Sequence, residues 1–174
     1  MSSINFVGDH IATITAADLS IGLTGEKIAG VLDVLNRLLS DAHMLYIKTR
    51  NYHWNVVGMH FQELHKLFET QYIQIEAEID TIAERIRSLG GKTPGTMTEF
   101  LGQASLKEEP GSHPDAQGML RQLLADHESV IRVLRESVDQ CDQRFHDLGT
   151  ADFLTGLMED HEKTARMVRA HLTA

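Results

Sequence analysis

Residues 61–91, FQELHKLFETQYIQIEAEIDTIAERIRSLGG, decide the fold. Phe61, Leu64, Phe68, Tyr72, Ile75, Ile79, Ile82, Ile86 and Leu89 recur in alternating steps of three and four, the spacing at which one face of an α-helix meets a core. Gly90-Gly91 then supplies a stop, because glycine adopts the left-handed conformation that ends many helices. Upstream, Thr24 is a candidate N-cap, and Ile28, Val31, Leu32, Leu35, Leu38, Leu39, Ala42 and Leu45 repeat the pattern. They predict a helix that runs to Trp54, where Asn55-Val56-Val57-Gly58 interrupts it.

Downstream, Pro94, Pro110 and Pro114 share the segment 90–114 with Gly95, Gly102 and Gly111, which reads as a long connection with a short helix around Thr98 to Ala104. A third long helix follows through Met119, Leu120, Leu123, Leu124, Val130, Ile131, Leu134 and Val138, fading near Leu148-Gly149. A fourth starts at Thr150 and carries Phe153, Leu154, Leu157, Met158, Ala165, Val168 and Leu172. Residues 1–23 show no sustained apolar face and read as an arm ahead of one domain, 24–174. There is no strand pattern, repeat or low-complexity tract. Two hairpins of long helices joined by one long connection describe an all-α four-helix bundle with a crossover, the ferritin-like arrangement.

A chain of 174 residues can bury one sizeable core without staples. No run approaches the roughly 20 apolar residues of a membrane span, and the N-terminus lacks the basic-then-apolar order of a signal peptide. The expectation is a soluble, cytoplasmic protein. Cys141 is the only cysteine, which excludes an internal disulfide framework and a cysteine-based zinc site within one chain. Sixteen Lys and Arg stand against 25 Asp and Glu, a formal charge of -9 that repels nucleic acid and attracts cations. Ten histidines in so acidic a chain direct attention to metals.

Four residues of the second helix carry that chemistry. His65 and Glu69 form one i, i+4 pair and Asp80 and Glu84 another, and all four fall within an arc of roughly 100° beside the core stripe. A solvated face explains either pair alone. Together, imidazole and carboxylate donors suit iron, manganese or zinc. Glu69 and Asp80 are 11 residues apart, hence about 16 Å along the helix, too far for one metal to span. If the same helix of a second subunit packs antiparallel across a two-fold axis near Gln74 and Ile75, His65 and Glu69 of one chain face Asp80 and Glu84 of the other. That gives two equivalent sites per dimer. His53, near the end of the first helix, is a further candidate ligand, with a capping role at the helix C-terminus as its alternative. No Glu-x-x-His occurs anywhere, which argues against a di-iron site inside one bundle.

At these residues the chain resembles the Dps family of mini-ferritins. The resemblance is carried by Asn51-Tyr52-His53-Trp54-Asn55-Val56, by Phe61 to His65, by Asp80-Thr81-Ile82-Ala83-Glu84-Arg85, and by Leu89-Gly90-Gly91, continuing more weakly through Asp160-His161-Glu162-Lys163. It implies a hollow homododecamer built from two-fold dimers, with a ferroxidase centre of two irons at each end of the dimer interface. His53 and His65 come from one subunit and Asp80 and Glu84 from its mate, with Glu84 bridging the irons or binding the tighter one. Glu69 stands where relatives carry Asp or Glu, as a direct or water-mediated ligand. Zinc and manganese are possible substitutes for iron. The implied activity is oxidation of Fe(II) by hydrogen peroxide or dioxygen and storage of ferric mineral, with protection from oxidative damage.

The resemblance also implies Trp54 as a redox neighbour of His53, and interface packing explains a Trp there equally well. It points to iron passing through acidic three-fold pores near the start of the fourth helix, with Asp152 and Asp147 as candidates and helix capping as the alternative for both. Two departures stand out. Arg166 occupies a position where many relatives carry Trp, and residues 1–23 contain Asp9 and Asp18 but no Lys or Arg, unlike the lysine-rich arm of DNA-binding relatives. The chain is therefore expected not to bind DNA. A DNA-condensing protein and a purely structural helical oligomer are the competing readings.

Overall fold

The computed structural model describes residues 19–173, so most of the 1–23 arm lies outside the described residues. Five α-helices follow in order: α1 Gly25–Asn55, α2 Phe61–Ser88, α3 Met97–Gln103, α4 Ala116–Asp139 and α5 Leu148–Leu172. Among the described residues there is no strand. α1 begins as its sequence dictates, with the Thr24 hydroxyl accepting from Lys27 N–H. At the end of α2 the Gly90 φ of 75° lets Gly90 N–H reach Arg87 O and Gly91 N–H reach Ile86 O.

Only residues 56–60 link α1 to α2, helices about 46 and 42 Å long, so the two must run antiparallel. α4 and α5 pair in the same way, and the crossover with α3 packs on α1. The bundle closes around Ile28, Leu35, Leu39 and Leu45 of α1, Phe68, Ile75, Ile82 and Ile86 of α2, Leu123 and Leu134 of α4, and Leu154 and Val168 of α5, all essentially inaccessible. Each side chain of this size contributes about 1.5–3 kcal/mol when fully buried. The crossover is pinned to α1 by buried Asp41, whose carboxylate accepts from Ser105 N–H at 2.7 Å, Leu106 N–H at 2.9 Å and the Ser105 hydroxyl at 2.7 Å.

Helix boundaries differ from the sequence expectation chiefly at α3 and at the junction of the third and fourth long helices. α3 begins one residue earlier than expected, because Thr96 and Glu99 form a reciprocal capping box. The third long helix ends at Asp139, not near Leu148-Gly149, and passes into a π turn, Gln140–Arg144, closed by Phe145 N–H to Gln140 O. The fourth then starts at Leu148 instead of Thr150. Its N-cap is Asp147, whose carboxylate accepts from Thr150 N–H at 3.0 Å, which makes Thr150 the third residue of the helix. Phe145 packs where Gly30 leaves no room for a β-carbon, which holds the wider turn against α1. Cys141, buried in the same turn, has its thiol pushed up to about 11 by burial, so it is unreactive as a nucleophile.

Candidate metal centre

The short α1–α2 link lays the last turn of α1 over the first turns of α2 and brings His53 and His65 face to face. Their rings stack with centres 3.8 Å apart and planes 24° apart. His53 Nδ1 lies 2.9 Å from His65 O, and His65 Nδ1 lies 2.9 Å from His53 O. A carbonyl oxygen can only accept, so each Nδ1 must carry the proton. In neutral imidazole each Nε2 is then a free lone pair. This is the tautomer a metal-binding histidine needs, fixed by the second nitrogen's partner as in carboxylate- and carbonyl-oriented metal sites.

Glu69 follows His65 by one turn and is held by Lys66 at 2.5 Å. The Lys66 hydrogen bond and then its charge keep the Glu69 carboxyl below the usual range, with a smaller push in the same direction from His53 and His65. Asp80 and Glu84 lie farther along α2, exposed. The structure thus brings His53, His65 and Glu69 to one end of the α2 face and leaves Asp80 and Glu84 at the other. Among the described residues no group of three His, Cys, Asp or Glu side chains is placed to hold one ion. One chain thus carries two separated groups of candidate donors. Nitrogen and carboxylate donors of this kind fit iron, with zinc and manganese as chemically plausible alternatives.

The ring packed edge-on against His53, at 5.2 Å between centres, is Tyr72. Sequence periodicity had marked Tyr72 only as a core position, and nothing local distinguishes it. Trp54 is 65 % exposed, under the Arg50 guanidinium at 5.5 Å. The two aspartates at the start of α5 part company. Asp152 is exposed on the first turns. Asp147 is buried, with both carboxylate oxygens taken by Arg85 at 3.1 and 3.2 Å and by the Thr150 N–H and hydroxyl. Its charge is committed to a cap and an ion pair that joins α2 to α5.

A second histidine pair, unremarked in the sequence, sits inside the bundle. His161 Nε2 is 3.0 Å from Glu78 Oε1, and His161 Nδ1 is 2.8 Å from His127 Nδ1. The carboxylate accepts from His161 Nε2–H, so His161 Nδ1 accepts from His127 Nδ1–H. His127 Nε2 is left buried without a partner. Burial, and then the neighbouring His161, push His127 down to about 3. The three groups form a line and do not converge on a point. No signal at i, i+3 or i, i+4 could have revealed it, since the partners are 34 and 83 residues apart.

The ferritin-like domain family model matches residues 32–174. A low temperature-induced protein from Nostoc sp. is 50 % identical over 154 residues, 88 % of this chain and 86 % of that one. The DNA protection during starvation protein 2 of Bacillus anthracis is 37 % identical over 142 residues, 82 % of this chain and 96 % of that protein. The chain belongs to the Dps family of ferritin-like proteins. Its fold agrees with the Dps protein from Vibrio cholerae O1, described as a member of a broad superfamily of ferritin-like diiron-carboxylate proteins, at a TM-score of 0.83 and 28 % identity over 89 % of this chain and 96 % of that one. Membership in the Dps family supports a role in iron storage and protection from oxidative stress. No described helix is long and apolar enough to cross a membrane.

Proposed function

We propose that this Dps-family chain assembles as a homododecamer that oxidises Fe(II) with hydrogen peroxide or dioxygen and stores the ferric product, at sites shared across a two-fold axis. The observation that carries this reading is the division of the donor set. Two histidines with free Nε2 atoms stand at one end of the α2 face and two exposed carboxylates at the other, about 22 Å from His65 to Asp80 by helix rise. An antiparallel second copy of α2 completes each half with the other.

In that arrangement His53 and His65 would hold iron through Nε2, while Asp80 and Glu84 of the partner subunit would balance its charge, Glu84 bridging the irons or binding the tighter one. Glu69 joins only when Lys66 releases it, directly or through water. Iron(II) is here a substrate, and the protein holds two of them close with open coordination positions for the oxidant. Zinc or manganese binding at the same donors would compete with iron. Asp152, exposed at the start of α5, is the proposed lining of the pores that admit the cation. The DNA protection in the relatives' names needs no contact with DNA if peroxide and iron(II) are removed together.

The test is iron(II) oxidation by the purified assembly, followed by ferric absorbance with peroxide and with oxygen in turn. Rates above those of buffer, together with ferric iron that co-elutes with a twelve-subunit mass, are expected. Rates equal to those of protein-free solution would refute the proposal.

A further inference from the structure

Three aromatic rings surround one guanidinium beside the histidine pair. Arg50 Cζ lies 5.6 Å from the ring centre of Tyr46, 5.3 Å from that of Tyr72 and 5.5 Å from that of Trp54. Tyr72 meets His53 edge-on at 5.2 Å, and Tyr46 meets Tyr72 edge-on at 6.2 Å. Electron tunnelling falls steeply with distance, so rings in near contact are the shortest route away from the centre. His53, Tyr72 and Tyr46 form such a route.

Proton chemistry decides where an oxidising equivalent comes to rest. A phenol that loses an electron becomes a strongly acidic cation radical and is stable only once its proton has left. Arg50 raises the cost of positive charge on all three rings further, which ties oxidation here to proton loss. The Tyr46 hydroxyl faces Glu76 Oε1 at 3.5 Å and also receives a hydrogen bond from Arg50 Nη1. Tyr46 is therefore a phenol with a base beside it. Trp54 shares the guanidinium but is mostly exposed, where an oxidised indole would meet solvent.

The geometry points to Tyr46 as an electron donor to the iron centre, reached through Tyr72, with Glu76 as the base. The inference rests on the function proposed above. Hydrogen peroxide takes two electrons and two protons to leave as two waters. With a single iron(II) in place, that ion gives one electron and becomes iron(III). The second comes from Tyr46, whose O–H bond breaks to leave a neutral phenoxyl radical. Its proton passes to Glu76, and solvent supplies the two protons that complete the waters. A site short of one iron thus still reduces peroxide fully and releases no hydroxyl radical.

The experiment gives the assembled protein less than one iron(II) per site, adds peroxide, and records freeze-quench electron paramagnetic resonance spectra. A tyrosyl signal is expected in the native protein and in Trp54→Phe, and its loss in Tyr46→Phe. Mass spectrometry should place residual oxidation on the peptide that holds Tyr46. Persistence of the signal in Tyr46→Phe, or its loss in Trp54→Phe, overturns the assignment. Iron(III) measured in the same samples separates the two ways of failing. If iron(III) forms without a tyrosyl radical, only the tyrosine route is wrong; if no iron(III) forms beyond the protein-free control, the proposed function falls and takes this inference with it.

Discussion

His127 and His161 share a proton at 2.8 Å inside the bundle, and only one of the two can be its donor. Burial, and then the neighbouring His161, push the His127 ring down to about 3, so it stays neutral in the folded protein above that pH. The unfolded chain protonates this residue from about pH 6.5 downward, and the folded chain does not until about pH 3. Stability from this group is therefore fully present above pH 6.5, and acid erodes it across that window. We expect the unfolding free energy of the native protein to fall more steeply from pH 7 to pH 4 than that of His127→Leu, by an amount on the order of a few kcal/mol at the acid end. Parallel pH profiles of the two proteins, followed by circular dichroism, would refute the assignment.

Shared sites are tested by mixing. His65→Ala and Asp80→Ala homo-oligomers should each lose most iron oxidation, since every site lacks a ligand. When the two chains pair across the two-fold axis, one site receives both lesions and the other none. Activity should then exceed the average of the two parent assemblies. Mass spectrometry verifies that both chains are present, and activity no higher than that average contradicts the model.

Lys66 pairs with Glu69 at the surface and in the proposed centre would compete with metal for it. Solvent-exposed pairs of this kind are weak, so Lys66→Ala should tighten binding of Co(II) or Zn(II) by up to about fivefold. The denaturation midpoint should stay essentially unchanged. Competition titration with a chelating dye measures the first, and unchanged affinity would place Glu69 outside the centre.

Asp147, which caps α5, and Asp152, in its second turn, should respond differently. Asp147→Ala removes an N-cap worth about 1 kcal/mol and strands Arg85, so a loss of about 2–4 kcal/mol in chemical denaturation is expected. Asp152→Asn should leave stability intact and slow iron uptake at low iron concentration. Equal uptake rates in Asp152→Asn and the native protein would remove it from the pore.

With a formal net charge of -9 per subunit and an arm free of Lys and Arg, the assembly is expected not to retard duplex DNA at physiological salt. A gel shift without divalent cations measures this directly. Tight, salt-sensitive retardation would show that surface charge distribution outweighs net charge.

Much of the fold was legible because its determinants act within a few residues. Thr24 caps α1 and Gly90 ends α2 through contacts three to five residues away, and the three-four spacing of Ile75, Ile82 and Ile86 reports a buried face wherever that face later packs. The candidate ligands were legible for the same reason, since helix rise alone separates His65 and Glu69 from Asp80 and Glu84.

What the tertiary structure alone decided lies between residues distant in the chain. The π turn after Asp139 depends on Phe145 packing against Gly30, and the start of α5 on an aspartate that Arg85 helps to hold. The tautomers of His53 and His65 are set by each other's carbonyls, 12 residues apart, and the contact of Tyr72 with His53 by how two helices cross. Periodicity says which side of a helix is buried. It carries no information on which ring of a neighbouring helix fills the space, because side-chain packing and long-range hydrogen bonds are fixed only when the whole bundle closes.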